Sequence, residues 1–140
     1  MRRFSKTVDI AAPPERVWQV MVDVERWPEW TRSANSVRRL DRGAFTIGSR
    51  ARISQPKLLP AVWTVTQLNE GRSFTWAAGG PGFRVSGTHA VESIESGTRA
   101  TLTLQFDGVL GGIVGRLLRK LNVEYMDMEA TGLKRRAEQV

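Results

Sequence analysis

The apolar residues of this chain change their spacing twice. From about residue 36 to residue 107 they recur at every second position, and on both sides of that stretch at every third or fourth. A period of two places successive side chains on opposite faces of a strand, whereas a period near 3.6 lines up one face of a helix. Segments at 36–41, 49–55, 61–68, 72–78, 83–93 and 99–107 alternate in this way, with Gly-, Asn- and Asp-bearing turns at 41–43, 69–71, 79–82 and 95–97. Six strands in succession joined by short turns form an antiparallel meander. A further strand is expected at 3–10.

The flanks read as helices. Pro13 and Pro14 suit a first helical turn, where fixed φ and a missing N–H cost little, and Glu15 suits the positive end of the helix dipole. Val17, Val20, Met21 and Val24 then share a face, predicting a helix over 13–24. Pro28 turns Trp27 away from helical angles, so a short turn or helix is expected over 27–33. Beyond the strands, Val114, Leu118, Leu121, Tyr125 and Met128 form a stripe beside Ile113 and Leu117. One helix from about 112 to 138, about 40 Å long, is expected there. The sum is an α+β arrangement of about seven strands, with one sheet face covered by the terminal helix.

At 140 residues the chain suits a single domain over residues 1–140 with one core. It has no cysteine, which excludes disulfides, thiolate metal sites and thiol nucleophiles. A single histidine supports no zinc or iron cluster, and no Ser-His-Asp order occurs at recognisable spacing. Gly79-Gly-Pro-Gly82 lacks the Lys-Ser/Thr and helix start of a phosphate loop. Neither metal nor other cofactor is expected. The first residues lack the apolar core of a signal peptide and no run nears the roughly 18 apolar residues of a spanning helix, so a soluble cytoplasmic protein is expected.

The formal net charge of +7 raises the question of polyanions. The basic residues fall in small groups, at Arg38, Arg39 and Arg42, at Arg50 and Arg52, at Arg116, Arg119 and Lys120, and at Lys134, Arg135 and Arg136, mostly interleaved with acids. No recognition motif accompanies them, so no specific nucleic-acid partner is expected. Weak peripheral contact with an anionic surface is permitted.

Several stretches together resemble the START-like (SRPBCC, helix-grip) superfamily, and within it the polyketide cyclase/dehydrase-like branch. They are Ala11-Ala-Pro-Pro-Glu-Arg-Val-Trp18, the Trp27-Pro-Glu-Trp30 bracket, Gly97-Thr-Arg-Ala-Thr-Leu-Thr-Leu104, the Gly-rich entry to the last helix, and Gly132-Leu-Lys-Arg-Arg136. The resemblance spans essentially the whole chain. It implies a curved antiparallel sheet wrapped around a long C-terminal helix, with short helices after the first strand and a cavity between sheet and helix. A cavity of ordinary ligand-site size would measure roughly 300 to 1,000 Å³.

Strand alternation indicates which residues would wall it. Ile53, Trp63, Trp76, Val85, His89, Leu104 and Phe106 fall on inward faces, opposite Leu118, Leu121 and Tyr125 of the helix and Trp27 and Trp30 of the bend. The same stripes also suit a solid core. Turns at alternate ends of a meander bring Pro56, Leu58, Leu59, Gly80, Pro81, Val109 and Leu110 to one end, where they form an entrance rim. His89 and Tyr125 are the candidate catalytic groups, the first as a proton shuttle and the second as a phenol that orients a ligand oxygen. No inward carboxylate accompanies them: Asp107 points away by alternation, and Glu124, Asp127 and Glu129 are assigned to the exposed flank of the helix. His89 therefore suits a plain buried imidazole, bonded to a neighbouring strand or side chain, better than a catalytic base.

The leading expectation is a binder, not an enzyme, that encloses a hydrophobic small molecule such as a lipid, a polyketide-like aromatic or an isoprenoid. The resemblance also implies a cofactor-free cyclase or dehydratase. A third class is a partner-binding module that uses the basic surface. Monomer and homodimer are both compatible with the sequence.

Overall fold

The computed structural model describes residues 2–139. The first strand, β1 (Arg2–Ile10), leads into α1 (Pro14–Val22), whose first turn is set by the Pro13 carbonyl accepting the N–H groups of Arg16 and Val17 at 3.0 and 3.2 Å. Val17, Trp18, Val20 and Met21 form its buried face. The helix stops two residues earlier than the periodicity predicts, because Val24–Glu29 tightens into a 3₁₀ turn that contains Pro28. Such turns are common where a helix gives way to a tight connection. The carbonyl of Trp27 closes the turn by accepting the N–H groups of Trp30 and Thr31.

Six strands follow: β2 (Ser36–Arg39), β3 (Arg50–Ser54), β4 (Ala61–Asn69), β5 (Ser73–Gly80), β6 (Phe83–Ile94) and β7 (Gly97–Asp107). With β1 they form one curved, antiparallel, seven-stranded sheet in the order β1-β7-β6-β5-β4-β3-β2. The meander closes by pairing β7 with β1 along Arg2↔Phe106 to Ile10↔Thr98. A bulge between Val65 and Gln67 shifts the β4–β5 register, and bulges of this kind bend a sheet locally. At one end of the sheet the β5–β6 and β7 turns meet, where the Leu110 N–H donates to the Gly82 carbonyl at 2.7 Å. Gly108, at φ +93°, leaves room for this approach, since a Cβ there would lie 2.6 Å from that same carbonyl oxygen.

The expected 40 Å terminal helix is two helices. Helix α2 (Gly111–Leu117) ends at Leu118, and α3 (Arg119–Glu138) runs on for 20 residues, about 30 Å. The glycines of α2 explain the break. Gly111 and Gly115 press onto Phe106 so closely that a Cβ on either would lie 3.0 or 3.1 Å from its atoms. That glycine face commits α2 to the end of the sheet, while α3 turns to cross β1 and α1. The change of direction falls at Leu118, whose backbone leaves helical angles at φ −97°, ψ 8°.

The main apolar core joins α1, the 3₁₀ turn and the C-terminal half of α3 to the sheet through Val17, Met21, Trp27, Trp30, Phe74 and Leu133. A second cluster of Leu102, Met126 and Ala130 lies under the first half of α3.

Candidate functional site

Between these two clusters the sheet and α3 do not close on each other. They leave a cavity of about 140 Å³, lined by residues of both. The sheet contributes Ile53, Trp63, Trp76, Val85, Leu104 and Phe106, the 3₁₀ turn contributes Trp27, and the helices contribute Leu118 and Tyr125. Its volume is below the 300 to 1,000 Å³ expected. The indole rings take up the difference: Trp76 packs against Trp27 with centroids 5.3 Å apart and against Trp63 at 6.0 Å.

Two residues expected in the walls lie elsewhere. Trp30 is buried in the main core, beside Trp27 at 5.7 Å and under Gly132 of α3. Leu121 is half-buried and outside the lining. The reason is one of phase. The face that α3 turns inward carries Asn122, Tyr125, Met126 and Glu129, an i, i+3, i+4, i+7 set that includes two polar residues. The apolar stripe of the sequence runs one position to its side, through Leu121 and Met128.

His89 is 6% exposed, on the inward face of β6 between Phe74 of β5 and Leu102 of β7 in the strand register. The Phe74 ring stacks on the imidazole at 4.5 Å and 7°, and Trp27 lies against it at 5.2 Å. Its Nε2 bonds to Glu129 Oε1 at 2.8 Å. Glu129 is therefore not on the exposed flank of the helix; its side chain is 17% exposed and faces the cavity. A carboxylate accepts at this contact, so the proton shared between the two groups sits on Nε2 of the imidazole whenever Glu129 is ionised. Nδ1 is buried without a partner, as is Nδ2 of Asn122.

The Tyr125 hydroxyl donates to the backbone carbonyl of Pro56, so it ties the β3–β4 loop to α3. Burial, with a smaller contribution from the negative charge of Glu124, pushes its ionisation above the ordinary phenol range. A phenol so placed acts as a hydrogen-bond donor, not as a base.

The residues expected at the rim divide. Leu58 turns into the cavity lining, and Pro56 supplies the carbonyl for Tyr125. Leu110 lies over Gly82, while Gly80 and Pro81 are exposed at the β5–β6 turn. Leu59 and Val109 project outward, 90% and 91% exposed. Ser33, Ala34, Gln55, Thr88 and Thr103 also line the cavity and were not singled out by the sequence. Ser33 and Ala34 lie at the end of the bend in a segment without periodicity, Thr88 and Thr103 fall on positions that alternation assigns to the outer face, and Gln55, in phase with Ile53, is a polar residue at the end of its segment.

The fold recurs in known structures. A hypothetical protein of Helicobacter pylori superposes with a TM-score of 0.81 at 13% identity, over 98% of this chain and 88% of that one. The Zhui aromatase/cyclase of a Streptomyces species gives 0.78 at 20% identity, over 98% and 93%. A START superfamily protein of Mycobacterium smegmatis gives 0.74 at 18% identity, over 95% and 97%. At these identities the likeness is one of fold. No curated protein sequence matches the chain. The family model described as polyketide cyclase/dehydrase and lipid transport matches residues 1–138. With a helix-grip sheet, a C-terminal helix and a cavity between them, the chain belongs to that family.

Proposed function

We propose that this protein binds a small hydrophobic molecule between the sheet and α3. The observation that carries the reading is the cavity itself, walled by Trp27, Trp63 and Trp76. Its volume of about 140 Å³ sets the scale of the occupant. An engineered apolar cavity of about 150 Å³ accepts benzene, so the occupant is one ring or a short branched chain. Longer lipids or polyketide chains require the Tyr125–Pro56 tie to open. Affinity comes from apolar burial at roughly 25 cal/mol per Å². The matching family and the aromatase/cyclase and START relatives support the reading. Titration of single-ring aromatics and short isoprenoids against tryptophan fluorescence tests it. Saturable quenching that is lost when Leu104→Trp fills the cavity is expected. No response to any of these ligands overturns it.

A second reading is favoured by one specific contact. The bond from His89 to Glu129 supplies the carboxylate that a cofactor-free cyclase or dehydratase needs beside its base. In that reading the imidazole takes a proton from an acidic carbon or hydroxyl, and Glu129 stabilises the imidazolium that forms. Loss of turnover in His89→Gln with ligand binding intact supports it, and equal loss of both overturns it.

The protein acts in the cytoplasm on this reading. Among the described residues no helix is long and apolar enough to cross a membrane. The exposed apolar residues of α2 and the basic groups beside them suit weak contact with an anionic lipid surface.

A further inference from the structure

We infer that Gly87 and Trp76 set what the cavity accepts: a flat ring with a hydrogen-bond acceptor on its rim, packed on the bare backbone of β6 with the acceptor against the Trp76 N–H. This inference rests on the ligand-binding reading and adds the chemistry of the ligand. Gly87 lies on the inward face of β6, between Trp76 of β5 and Leu104 of β7 in the strand register. Glycine weakens the interior of a strand, and there it often marks a bulge or the close approach of a ligand. No bulge occurs here, because the register with both neighbours runs through Gly87 without a shift. Nor do backbone and packing call for glycine. Gly87 is not one of the left-handed glycines, and a Cβ would stand in ordinary contact, 3.5 Å from the pyrrole edge of Trp76 and 3.8 Å from Leu104. The missing side chain leaves a bare patch in the cavity wall, flanked by two residues that also line the cavity.

The pyrrole edge that borders this patch carries a free donor. Trp27 donates its N–H to the Met21 carbonyl at 3.0 Å, whereas Trp76 Nε1 bonds to no atom of the described residues. Three buried side-chain atoms of the described residues are sealed in without a partner, Arg39 Nε, His89 Nδ1 and Asn122 Nδ2, and Trp76 Nε1 is not one of them. An unbonded donor that is not sealed in keeps open surface. Trp76 as a whole is 3% exposed, so that surface faces the cavity and not the solvent. An indole N–H donates and does not accept, so it selects an acceptor. An aryl ketone has the required form: a flat face for Gly87, a rim oxygen for Nε1, and an apolar remainder for Leu104 and Phe106.

Calorimetric titration with acetophenone and with α-methylstyrene, its isostere without the oxygen, tests the inference. The affinity ratio of the ketone to the alkene is expected to fall about threefold or more in Trp76→Phe, the effect of losing one hydrogen bond. Trp63→Phe, which removes another indole of the same wall, is expected to keep the ratio. Nitrogen-edited NMR of the wild type gives a readout that stands even if Trp76→Phe does not fold. The Trp76 indole proton should move downfield with acetophenone and not with α-methylstyrene. Gly87→Ala is expected to melt at or above the wild type without ligand, yet to bind both ligands about tenfold more weakly, as one added carbon does in an apolar pocket. Wild-type affinities in Gly87→Ala overturn the seat on β6, and an unchanged ratio in Trp76→Phe overturns the role of the N–H. Either result leaves the cavity reading standing, whereas failure of both ligands to bind the wild type overturns that reading too.

Discussion

The backbone carbonyl of Trp30 occupies the space that any side chain at position 132 would need, so Gly132 of α3 rides directly on the bend that carries Trp27. Arg135 Nη2 donates to the same carbonyl at 3.3 Å, one turn further along the helix. Glycine within a helix costs about 1 kcal/mol relative to alanine, and here close packing offsets that cost. Gly132→Ala is expected to destabilise the protein by about 1–3 kcal/mol, the usual cost of overpacking, and to lower the melting temperature by roughly 3–10 °C. Gly112→Ala in α2, where no atom lies within 4 Å, is the control and is expected to melt at or above the wild type. Unchanged melting of Gly132→Ala would contradict the docking of α3 on the bend.

Tyr125 predicts both a dynamic and a pH effect. Its hydroxyl holds the Pro56 carbonyl, and removing one such bond costs about 0.5–1.5 kcal/mol. In Tyr125→Phe the amides of Lys57 and Leu58 are expected to exchange with solvent faster, with little change in α1 or β7. The pH dependence follows from burial, which raises the ionisation of Tyr125 above that of an unfolded tyrosine near pH 10. A raised value contributes stability that is fully present below pH 10 and is lost as pH rises through the folded value. The wild type should therefore lose stability more steeply than Tyr125→Phe as pH rises above about 10 in urea titrations. Parallel curves would show that the phenol is not buried in solution.

The strand order was legible in the sequence because alternation runs through the segments from Ser36 to Asp107, broken only at the Val65–Gln67 bulge of β4, and inward faces follow from it once one inward residue is known. The helix side was less legible. The stripe of Leu118, Leu121, Tyr125 and Met128 selects by apolarity, but the inward face of α3 is phased by Asn122 and Glu129, which a search for apolar residues passes over. The signal that finds them is the pairing need of His89: a buried imidazole requires a partner, and of Glu124, Asp127 and Glu129 it is Glu129 that falls one turn from Tyr125 on the inward side. The break at Leu118 is hidden because the apolar period runs through it unchanged. Its cause lies in contacts of Gly111 and Gly115 with Phe106, made by glycines that an apolar period does not register.

Asp41 predicts the acid limb. Its Oδ2 accepts the Arg50 N–H at 2.7 Å and its Oδ1 accepts Arg39 Nη2 at 3.0 Å, which clamps the β2–β3 connection. The Arg50 amide first, and then the Arg39 guanidinium, hold its carboxyl below the usual carboxylate range against a partial desolvation that works the other way. A depressed value contributes stability that is present above the unfolded carboxylate's range near pH 4 and is lost as pH falls through the folded value. Asp41→Asn is expected to lower the urea midpoint at pH 7 and to flatten its decline as pH falls below about 4. A variant whose acid limb runs parallel to that of the wild type would rule out the clamp.

The stretch from residue 108 to residue 123 contains no acidic residue, and it carries the exposed apolar side chains of Val109, Ile113 and Leu117 beside Arg116, Arg119 and Lys120. Apolar tips flanked by cations suit an anionic bilayer, where each nearby Lys or Arg contributes about 1 kcal/mol at low salt. Three such charges with little apolar insertion give weak binding. The interaction is also screened, since the Debye length falls from about 30 Å at 0.01 M salt to about 8 Å at 0.15 M. Co-flotation with phosphatidylserine-containing vesicles is therefore expected in 0.01 M salt and is expected to be largely lost at 0.15 M. The Arg116→Glu, Lys120→Glu double variant should not float at either salt concentration, and neutral vesicles should capture neither protein. Equal flotation of the wild type and the double variant would move the contact to another face of the molecule, with the Lys134–Arg136 end of α3 the next to test.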